Sequence, residues 1–330
     1  MDIATKMRRD WDRRCREHAY FWIANDDHQS DERFATSGEE TAQSLVAQLP
    51  SHTRPDWPTW RVLEIGCGIG RVLRPLARRF GHVCGVDVSP QMIERSRAWL
   101  GGLPNVETRA GSGIDLAGWP DAHFDLVYSY VASQHMPRSV FASYLRESSR
   151  VLRPGACLLL QCCVGERNDL PLADTLTLRY YPADELDALL ETSGFRSEPG
   201  MRQRAQSGTH PSLWWLARRV DTSRPEVDTH WRQTACTDDP TPLDVSLRMT
   251  LAHTHLRAHR PDAAIDVLSA LVTHDPTHLP ARLLLISLLL QANRAQPALT
   301  HLEHLLHHHP DFEPAHNTLH RLRTHLHASP

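Results

Sequence analysis

Lysine is almost absent from this chain of 330 residues, because Lys6 is the single lysine among 36 basic residues and all the others are arginine. A surplus of charge is absent as well, since the formal net charge is only −3. Dedicated nucleic-acid-binding proteins usually carry a basic surplus. The near-neutral balance therefore argues against nucleic acid as a partner.

Long apolar runs and patterned cysteines are also missing. No window of the sequence approaches the roughly 18 uncharged apolar residues that a membrane-spanning helix needs, and the N-terminal stretch lacks the apolar core of a signal peptide. Seven cysteines occur without a CxxC pair, which is typical of reduced thiols. We expect a cytoplasmic protein with no membrane partner.

Apolar runs and amphipathic helices alternate from Trp60 onward. Strands are predicted at 61–65, 82–86, 105–109, 124–129 and 157–162, and helices at 71–80, 90–100, 140–152 and 183–193. This alternation indicates an α/β fold, a doubly wound parallel sheet with helices on both faces. Two further strands, at 195–202 and 213–219, follow each other closely and predict an antiparallel pair at the sheet edge.

The residues before the sheet are polar and predicted to be helical. A helix is expected at 39–49, with Leu45, Val46 and Leu49 on one face. The segment Ser37–Gly38–Glu39 is interpreted as the N-terminus of this helix, with an acidic first turn.

The C-terminal part contains an internal repeat. Leu251 and Leu285 are 34 residues apart, as are Ala264 and Ala298. A helix–turn–helix period of 34 residues resembles the tetratricopeptide repeat, and a last helix near 313–327 is expected to cap the stack. The resulting domain predictions are an N-terminal helical segment at 1–58, an α/β domain at 59–220, a linker at 221–244 and helical repeats at 245–330.

The strongest local motif is VLEIGCGIGR at residues 62–71. Its glycines allow a tight turn after a strand and a close approach of a ligand to the backbone, and the following helix start offers free N–H groups to an anion. A dinucleotide-binding fingerprint has the spacing GxGxxG. Here the spacing is GxGxG and Arg71 takes the place of the last glycine, which disfavours a nicotinamide-dependent oxidoreductase.

The motif and the segments that follow it resemble those of the class I S-adenosylmethionine-dependent methyltransferases. GVDVSPQMIERSRA supplies Asp87 at the end of the second strand, and AGSGIDL, FDLVYSYVASQHMP and RVLRPGACLLL continue the family's series. The resemblance covers about residues 60–220. It implies a Rossmann-like sheet of seven strands, S-adenosylmethionine as cofactor, and an N-terminal segment that acts as a lid.

The resemblance also implies which residues bind the cofactor. Asp87 is expected to accept hydrogen bonds from the ribose hydroxyls. Ser112 stands where relatives carry Asp or Asn, so we expect weaker binding of the adenine. The complete predicted set is Glu64, Gly66, Cys67, Gly68, Gly70, Asp87, Val88, Met92, Ser112, Gly113, Ile114, Ser129 and Tyr130.

Catalytic and acceptor-binding residues are predicted from the same resemblance. His135 is the candidate base, and the alternative is that it only packs against the N-terminal lid. Gln134 is expected to orient the acceptor, and Tyr20, Trp22 and Arg71 are expected to close the site, unless the aromatic side chains fill the seam between helix and sheet. Histidine pairs at i,i+4 spacing in the C-terminal part lack accompanying carboxylates or thiols, so no metal is expected.

Several functions remain open on these residues. The first is a methyltransferase that acts on an O, N or S atom of a small molecule or natural product. The second is a peptide or protein methyltransferase whose repeats recruit the substrate. The third is a non-catalytic scaffold that binds the cofactor. The repeats also allow a protein partner or a homodimer.

Overall fold

A computed structural model describes residues 2–24, 30–166, 175–176, 178–204, 212–220 and 242–327. The chain divides into two compact units, Met1–Asp238 and Asp239–Pro330. Most of the predicted linker at 221–244 lies outside the described residues.

The first unit is built around a mixed β-sheet. Its strands are β1 (Arg61–Ile65), β2 (His82–Asp87), β3 (Val106–Ala110), β4 (Phe124–Ser129), β5 (Leu152–Val164), β6 (Tyr180–Tyr181), β7 (Phe195–Arg204) and β8 (Ser212–Arg219). Seven of them follow the order β3-β2-β1-β4-β5-β8-β7, and the short β6 pairs with the end of β5. The strands from β3 to β5 are parallel, whereas β8 is antiparallel to both β5 and β7. The predicted doubly wound sheet with an antiparallel edge is confirmed.

Six helices accompany the sheet in the part of this unit that the structure describes. They are α1 (Ile3–Ala24), α2 (Asp31–Ala47), α3 (Leu73–Leu76), α4 (Pro90–Trp99), α5 (Arg138–Val151) and α6 (Ala183–Thr192), together with 3-10 segments at Ser51–Thr59 and Ser133–His135. The helix predicted at 71–80 is wrong in length. Pro75 offers no N–H, and two of the bonds beyond it have the i,i−3 spacing, from Arg78 N–H to the Pro75 carbonyl and from Arg79 N–H to the Leu76 carbonyl.

The predicted start of α2 is also wrong. The helix begins at Asp31, because the Ser30 hydroxyl accepts a hydrogen bond from the Arg33 N–H at 3.2 Å and two acidic residues occupy the first turn. The segment Ser37–Gly38–Glu39 therefore lies in the middle of the helix.

The core lies on both faces of the sheet. On one face Leu63, Val86 and Val127 pack with α5 and α6, and on the other Val62 and Leu126 pack with α2, α3 and α4. All five side chains are buried. The runs of apolar residues in β1 and β4 reflect this double burial.

The described residues of the second unit, 242–327, form five helices, which are α7 (Pro242–Arg257), α8 (Pro261–His274), α9 (Leu279–Gln291), α10 (Ala295–His308) and α11 (Glu313–His327). Leu251 and Leu285, which the sequence pairs across 34 residues, are both fully buried. The same spacing separates His259 and Asn293, which adopt left-handed φ values of 55° and 56° just after α7 and α9. Among the described helices, none is both long and apolar enough to cross a bilayer.

Candidate active site

The glycine-rich turn after β1 brings the backbone close to the loop after β4. Gly66 has a φ of +77°, and a Cβ atom at this position would lie 2.3 Å from the Cβ of Ala132. Any other residue at this position would meet both strain and a clash. The N–H groups of Gly66 and Cys67 donate to the Val86 carbonyl at 2.8 and 3.1 Å, which fixes the turn against β2.

Asp87 ends β2 directly beside this turn. One carboxylate oxygen accepts from the Gly68 N–H at 2.8 Å, and the other accepts from the Ser89 N–H at 2.9 Å. Burial raises the pKa of Asp87 to about 6, although the two backbone N–H groups oppose the shift. The carboxylate is thus oriented by the backbone, and each oxygen retains a lone pair for a ligand.

Glu64 is a second buried carboxyl group in this region. The Tyr128 hydroxyl donates to it at 2.9 Å. Burial raises the pKa of Glu64 to about 8, while the hydrogen bond from Tyr128 and the charge of Arg71 act in the opposite direction. A cationic ligand group would favour its ionised form.

A pocket lies at the carboxyl ends of β1, β2 and β4, and it contains about 920 Å³ between its walls, the open mouth included. Its walls are mostly apolar with a few polar groups, which is typical of small-molecule and cofactor sites. The predicted residues that line it are Glu64, Gly66, Cys67, Gly68, Arg71, Asp87, Val88, Met92, Gly113, Tyr130, His135 and Trp22.

The other cofactor-binding predictions do not line the pocket. The Ser112 hydroxyl donates to Asp115 at 2.8 Å and accepts from the N–H groups of Ile114 and Asp115, so it stabilises its own loop. Ser129 is buried and its hydroxyl donates to the Ile65 carbonyl at 3.0 Å. Ile114 packs against the core, and Gly70 adjoins the Leu100 side chain.

Two acceptor-binding predictions also lie away from the pocket walls. The Tyr20 hydroxyl donates to Asp31 at 2.6 Å and its ring stacks on Phe34 with centroids 4.1 Å apart. Tyr20 therefore fills the seam between α1 and α2. The Gln134 amide oxygen is 3.1 Å from the Cys163 sulfur, which donates to it, so this side chain packs against β5.

His135 is buried at the pocket wall. Its Nδ1 atom is 2.6 Å from the Leu176 carbonyl oxygen. Because a carbonyl can only accept, Nδ1 carries the proton and Nε2 of the neutral ring keeps a free lone pair. Burial lowers the pKa of His135 to about 4. The ring also meets Trp11 edge-on with the ring centroids 6.1 Å apart, so His135 packs against α1.

The sequence reasoning missed the part of α1 that covers the pocket. Met7, Trp11 and Ile23 line it, as do Met136 and Tyr144. The i,i+4 spacing of Met7 and Trp11 was the available signal. The Met7 methyl lies 3.2 Å from the Cβ position of Gly113, and the Ile23 methyl lies 3.0 Å from that of Gly68, so α1 spans both ends of the pocket.

Polar contacts hold α1 in this position. The Asp12 carboxylate accepts from the Ser89 hydroxyl at 2.5 Å and from the Gln91 N–H at 3.2 Å. Ser89 is the residue whose N–H orients Asp87. The helix over the pocket is therefore joined to the loop that carries the buried carboxylate.

Within the described part of the chain, one group of three side chains brings potential metal ligands together. His82, Cys84 and Glu107 place their ligand atoms within 4.8 Å of one another. The group lies on β2 and β3, and the Glu107 carboxylate already accepts from the Arg109 guanidinium at 2.5 Å. It is separate from the pocket.

The sheet order, the glycine turn after β1 and the carboxylate at the end of β2 define a class I, S-adenosylmethionine-dependent methyltransferase fold. A family model described as a methyltransferase domain matches residues 62–155, and one described as a tetratricopeptide repeat matches residues 239–322. The chain thus contains a methyltransferase domain followed by tetratricopeptide repeats.

Curated relatives match part of the chain. A 2-methyl-6-phytyl-1,4-hydroquinone methyltransferase from Synechocystis is 38% identical over 161 residues, which cover 47% of this chain and 42% of that protein. A ubiquinone biosynthesis O-methyltransferase from Xanthomonas oryzae is 30% identical over 148 residues, covering 40% and 60% respectively. The chain therefore spans less than two thirds of the length of either relative.

A solved structure shares the fold. The magnesium protoporphyrin IX methyltransferase from Synechocystis, solved with bound S-adenosylmethionine, aligns with a TM-score of 0.51 at 18% identity. The alignment covers 67% of this chain and 98% of that one.

Proposed function

We propose that the protein is a methyltransferase that moves a methyl group from S-adenosylmethionine to an O, N or S atom of a small molecule. The observation that carries the proposal is Asp87, whose buried carboxylate is aimed by two backbone N–H groups beside the glycine turn. The relatives named above, a hydroquinone methyltransferase and an O-methyltransferase, support a small-molecule acceptor.

The residues of the pocket fit this cofactor. Asp87 offers acceptors to ribose hydroxyls, and the backbone of Gly66 and Gly68 lines the pocket where the methionyl part would lie. Val88, Met92 and Gly113 supply an apolar surface for adenine. When bound, the cofactor supplies a methyl group activated by a positive sulfur.

The chain's own residues would orient the acceptor and exclude water. We assign Tyr130 and Met136 to the acceptor side of the pocket, under the aromatic cover of Trp11 and Trp22. In this proposal the Nε2 atom of His135 accepts a proton from an acceptor O–H or N–H group, because Nδ1 is held by Leu176. Closure by α1 would remove bulk water from the site.

The context of the reaction is part of the proposal. Natural product biosynthesis suits a small-molecule acceptor. The six described cysteines are buried and unpaired, which supports a reducing cytoplasm. The domain limits at 58, 220 and 244 are proposed as the functional boundaries, with 1–58 as the lid.

Transfer of a labelled methyl group from S-adenosylmethionine to a panel of phenols, amines and thiols tests the function. The full chain is compared with residues 1–238, with circular dichroism to check the fold. We expect turnover of a small molecule with the same KM in both.

Two outcomes would favour the other functions. The helical repeats motivate the second candidate, a methyltransferase of peptides or proteins. A sharp rise in substrate KM after loss of the repeats would support that candidate. Cofactor binding without methyl transfer to any acceptor class would support the third function, a non-catalytic scaffold that binds the cofactor.

A further inference from the structure

Arg71 is an unusual residue for the wall of a buried pocket. It follows the glycine turn directly, lines the pocket and is only 6% exposed. Its guanidinium carbon lies 5.5 Å from the centre of the Tyr130 ring. A charged side chain at this depth normally requires compensation by an opposite charge.

Helix α2 holds one end of this guanidinium. Nη1 donates to the Ser37 carbonyl at 2.8 Å and to the Thr41 hydroxyl at 2.9 Å. Gly38 lies between them, and a Cβ atom there would lie 2.3 Å from the Arg71 carbonyl oxygen. Glycine inside a helix costs about 0.5–1 kcal/mol relative to alanine. Its presence here permits the close approach of α2, so we call Ser37, Gly38 and Thr41 the α2 cradle.

The α2 cradle supplies no charge. Its acceptors are a carbonyl and hydroxyls. The Tyr130 side chain and the charge of Glu64 also act on the guanidinium, but among the described residues no carboxylate forms a salt bridge with Arg71. The Nε–H of Arg71 is buried and has no acceptor in the described part of the chain. One edge of the planar guanidinium is therefore anchored by α2, and the Nε–H on the other edge lacks an acceptor.

The pocket favours an anion with a single charge at this edge. Arg71 is the one arginine or lysine among the described residues that line the pocket, whereas Glu64 and Asp87 are both acidic. A phosphate with two negative charges would be repelled by these carboxyl groups. A carboxylate matches the planar fork of a guanidinium and carries one charge.

We infer that Arg71 is the receptor for a carboxylate group bound in this pocket, positioned by the α2 cradle. The inference rests on the proposed function. The carboxylate belongs either to the methionyl end of the cofactor, where Glu64 would face the ammonium group, or to an acidic acceptor. In both cases a carboxylate pairs with the guanidinium. Replacing Arg71 weakens binding of the cofactor in the first case and of the acceptor in the second.

Calorimetric titration with two nucleosides separates the sources. S-adenosylhomocysteine carries both the ammonium and the carboxylate, whereas its decarboxylated analogue, 5′-deoxy-5′-(3-aminopropylthio)adenosine, keeps only the ammonium. For Arg71→Gln we expect roughly 10- to 100-fold weaker binding of S-adenosylhomocysteine, the range of a lost charge-assisted hydrogen bond. Binding of the analogue should be unchanged, which also verifies that the variant is folded.

Two further variants control the result. Thr41→Val removes one partner of the α2 cradle and should give a smaller loss that is again selective for S-adenosylhomocysteine. Arg78→Gln removes a guanidinium that pairs with Glu39 at 3.2 Å on the exposed side of α2, and it should bind both nucleosides like the wild type.

The acceptor arm uses benzoate as the probe, titrated into the protein saturated with S-adenosylhomocysteine. Loss of benzoate binding in Arg71→Gln, with nucleoside affinities intact, assigns the carboxylate to the acceptor. Equal losses for both nucleosides, or no change for any probe, would overturn the inference while the proposed function stands. A folded wild-type protein that binds neither nucleoside would overturn the proposed function and the inference together.

Discussion

Asp87 and His135 are buried at the same pocket, and burial favours the neutral form of each. It raises the pKa of the Asp87 carboxyl to about 6 and lowers the pKa of the His135 imidazole to about 4. The consequences for ligands differ. Asp87 must ionise for both of its oxygens to accept from ribose hydroxyls, whereas His135 is already neutral at pH 7 and its Nε2 lone pair is available.

The low pKa of His135 predicts a pH dependence of stability. The unfolded chain, with a pKa near the ordinary 6.5, binds the proton before the folded chain does. The contribution of His135 is therefore complete above pH 6.5 and is lost as the pH falls towards 4. Between pH 7.5 and pH 5 it decreases by about 2 kcal/mol.

Urea unfolding of His135→Asn at these two pH values measures this contribution. The asparagine amide can still donate to the Leu176 carbonyl, but it does not titrate. We expect the free energy of unfolding to depend less on pH in the variant than in the wild type. An identical pH dependence in the two proteins would show that His135 is not a buried neutral imidazole.

Helix α2 shows how one element can serve the pocket without lining it. Its cradle anchors Arg71, while Glu39 accepts from Arg78 and Arg79. The glycine at position 38 is the feature that permits this contact, since its backbone approaches the Arg71 carbonyl more closely than any side chain allows.

Gly38→Ala tests this packing. In most helix interiors the change from glycine to alanine adds about 0.5–1 kcal/mol of stability. Here we expect the opposite sign, because the new Cβ atom would push α2 away from the Arg71 backbone. Thermal unfolding compares it with Gly118→Ala, where the nearest atom is 3.7 Å from the Cβ position. A more stable Gly38→Ala protein would contradict the close approach.

The elements that the sequence predicts well are those with local signals. The apolar runs of β1 and β4 and the spacing of the glycine turn each depend on residues that are neighbours in the sequence. The sheet and the position of Asp87 can therefore be predicted from them. Contacts between distant segments are not local. The position of Tyr20 against Phe34 depends on packing, and the cover formed by Met7 depends on how α1 meets the sheet.

The whole molecule combines a cofactor-binding unit with a helical unit, each with its own buried residues. The core of the first unit surrounds the sheet, and part of the second unit's core includes Ile286, Leu302 and Leu305. A ligand stabilises the folded form that binds it, by an amount set by its concentration and affinity.

Differential scanning calorimetry with S-adenosylhomocysteine tests this division. At a concentration of 100 times Kd, the ligand should stabilise the first unit by about 2.7 kcal/mol. We expect one transition to move to higher temperature while the transition of the repeats stays in place. Residues 1–238 alone should show the same ligand-dependent shift in their single transition. A shift of both transitions would show that the repeats respond to the cofactor site.

Calorimetric titration of the full chain with S-adenosylhomocysteine, beside Asp87→Ala, tests the central claim most directly. At pH 7.5 we predict binding of one ligand per chain, weakened roughly 10- to 100-fold in the variant. The wild-type affinity should fall below pH 6, as Asp87 takes up its proton, and the variant should lack this dependence. Absence of binding by the folded wild type, or equal affinity in the two proteins, would contradict the account.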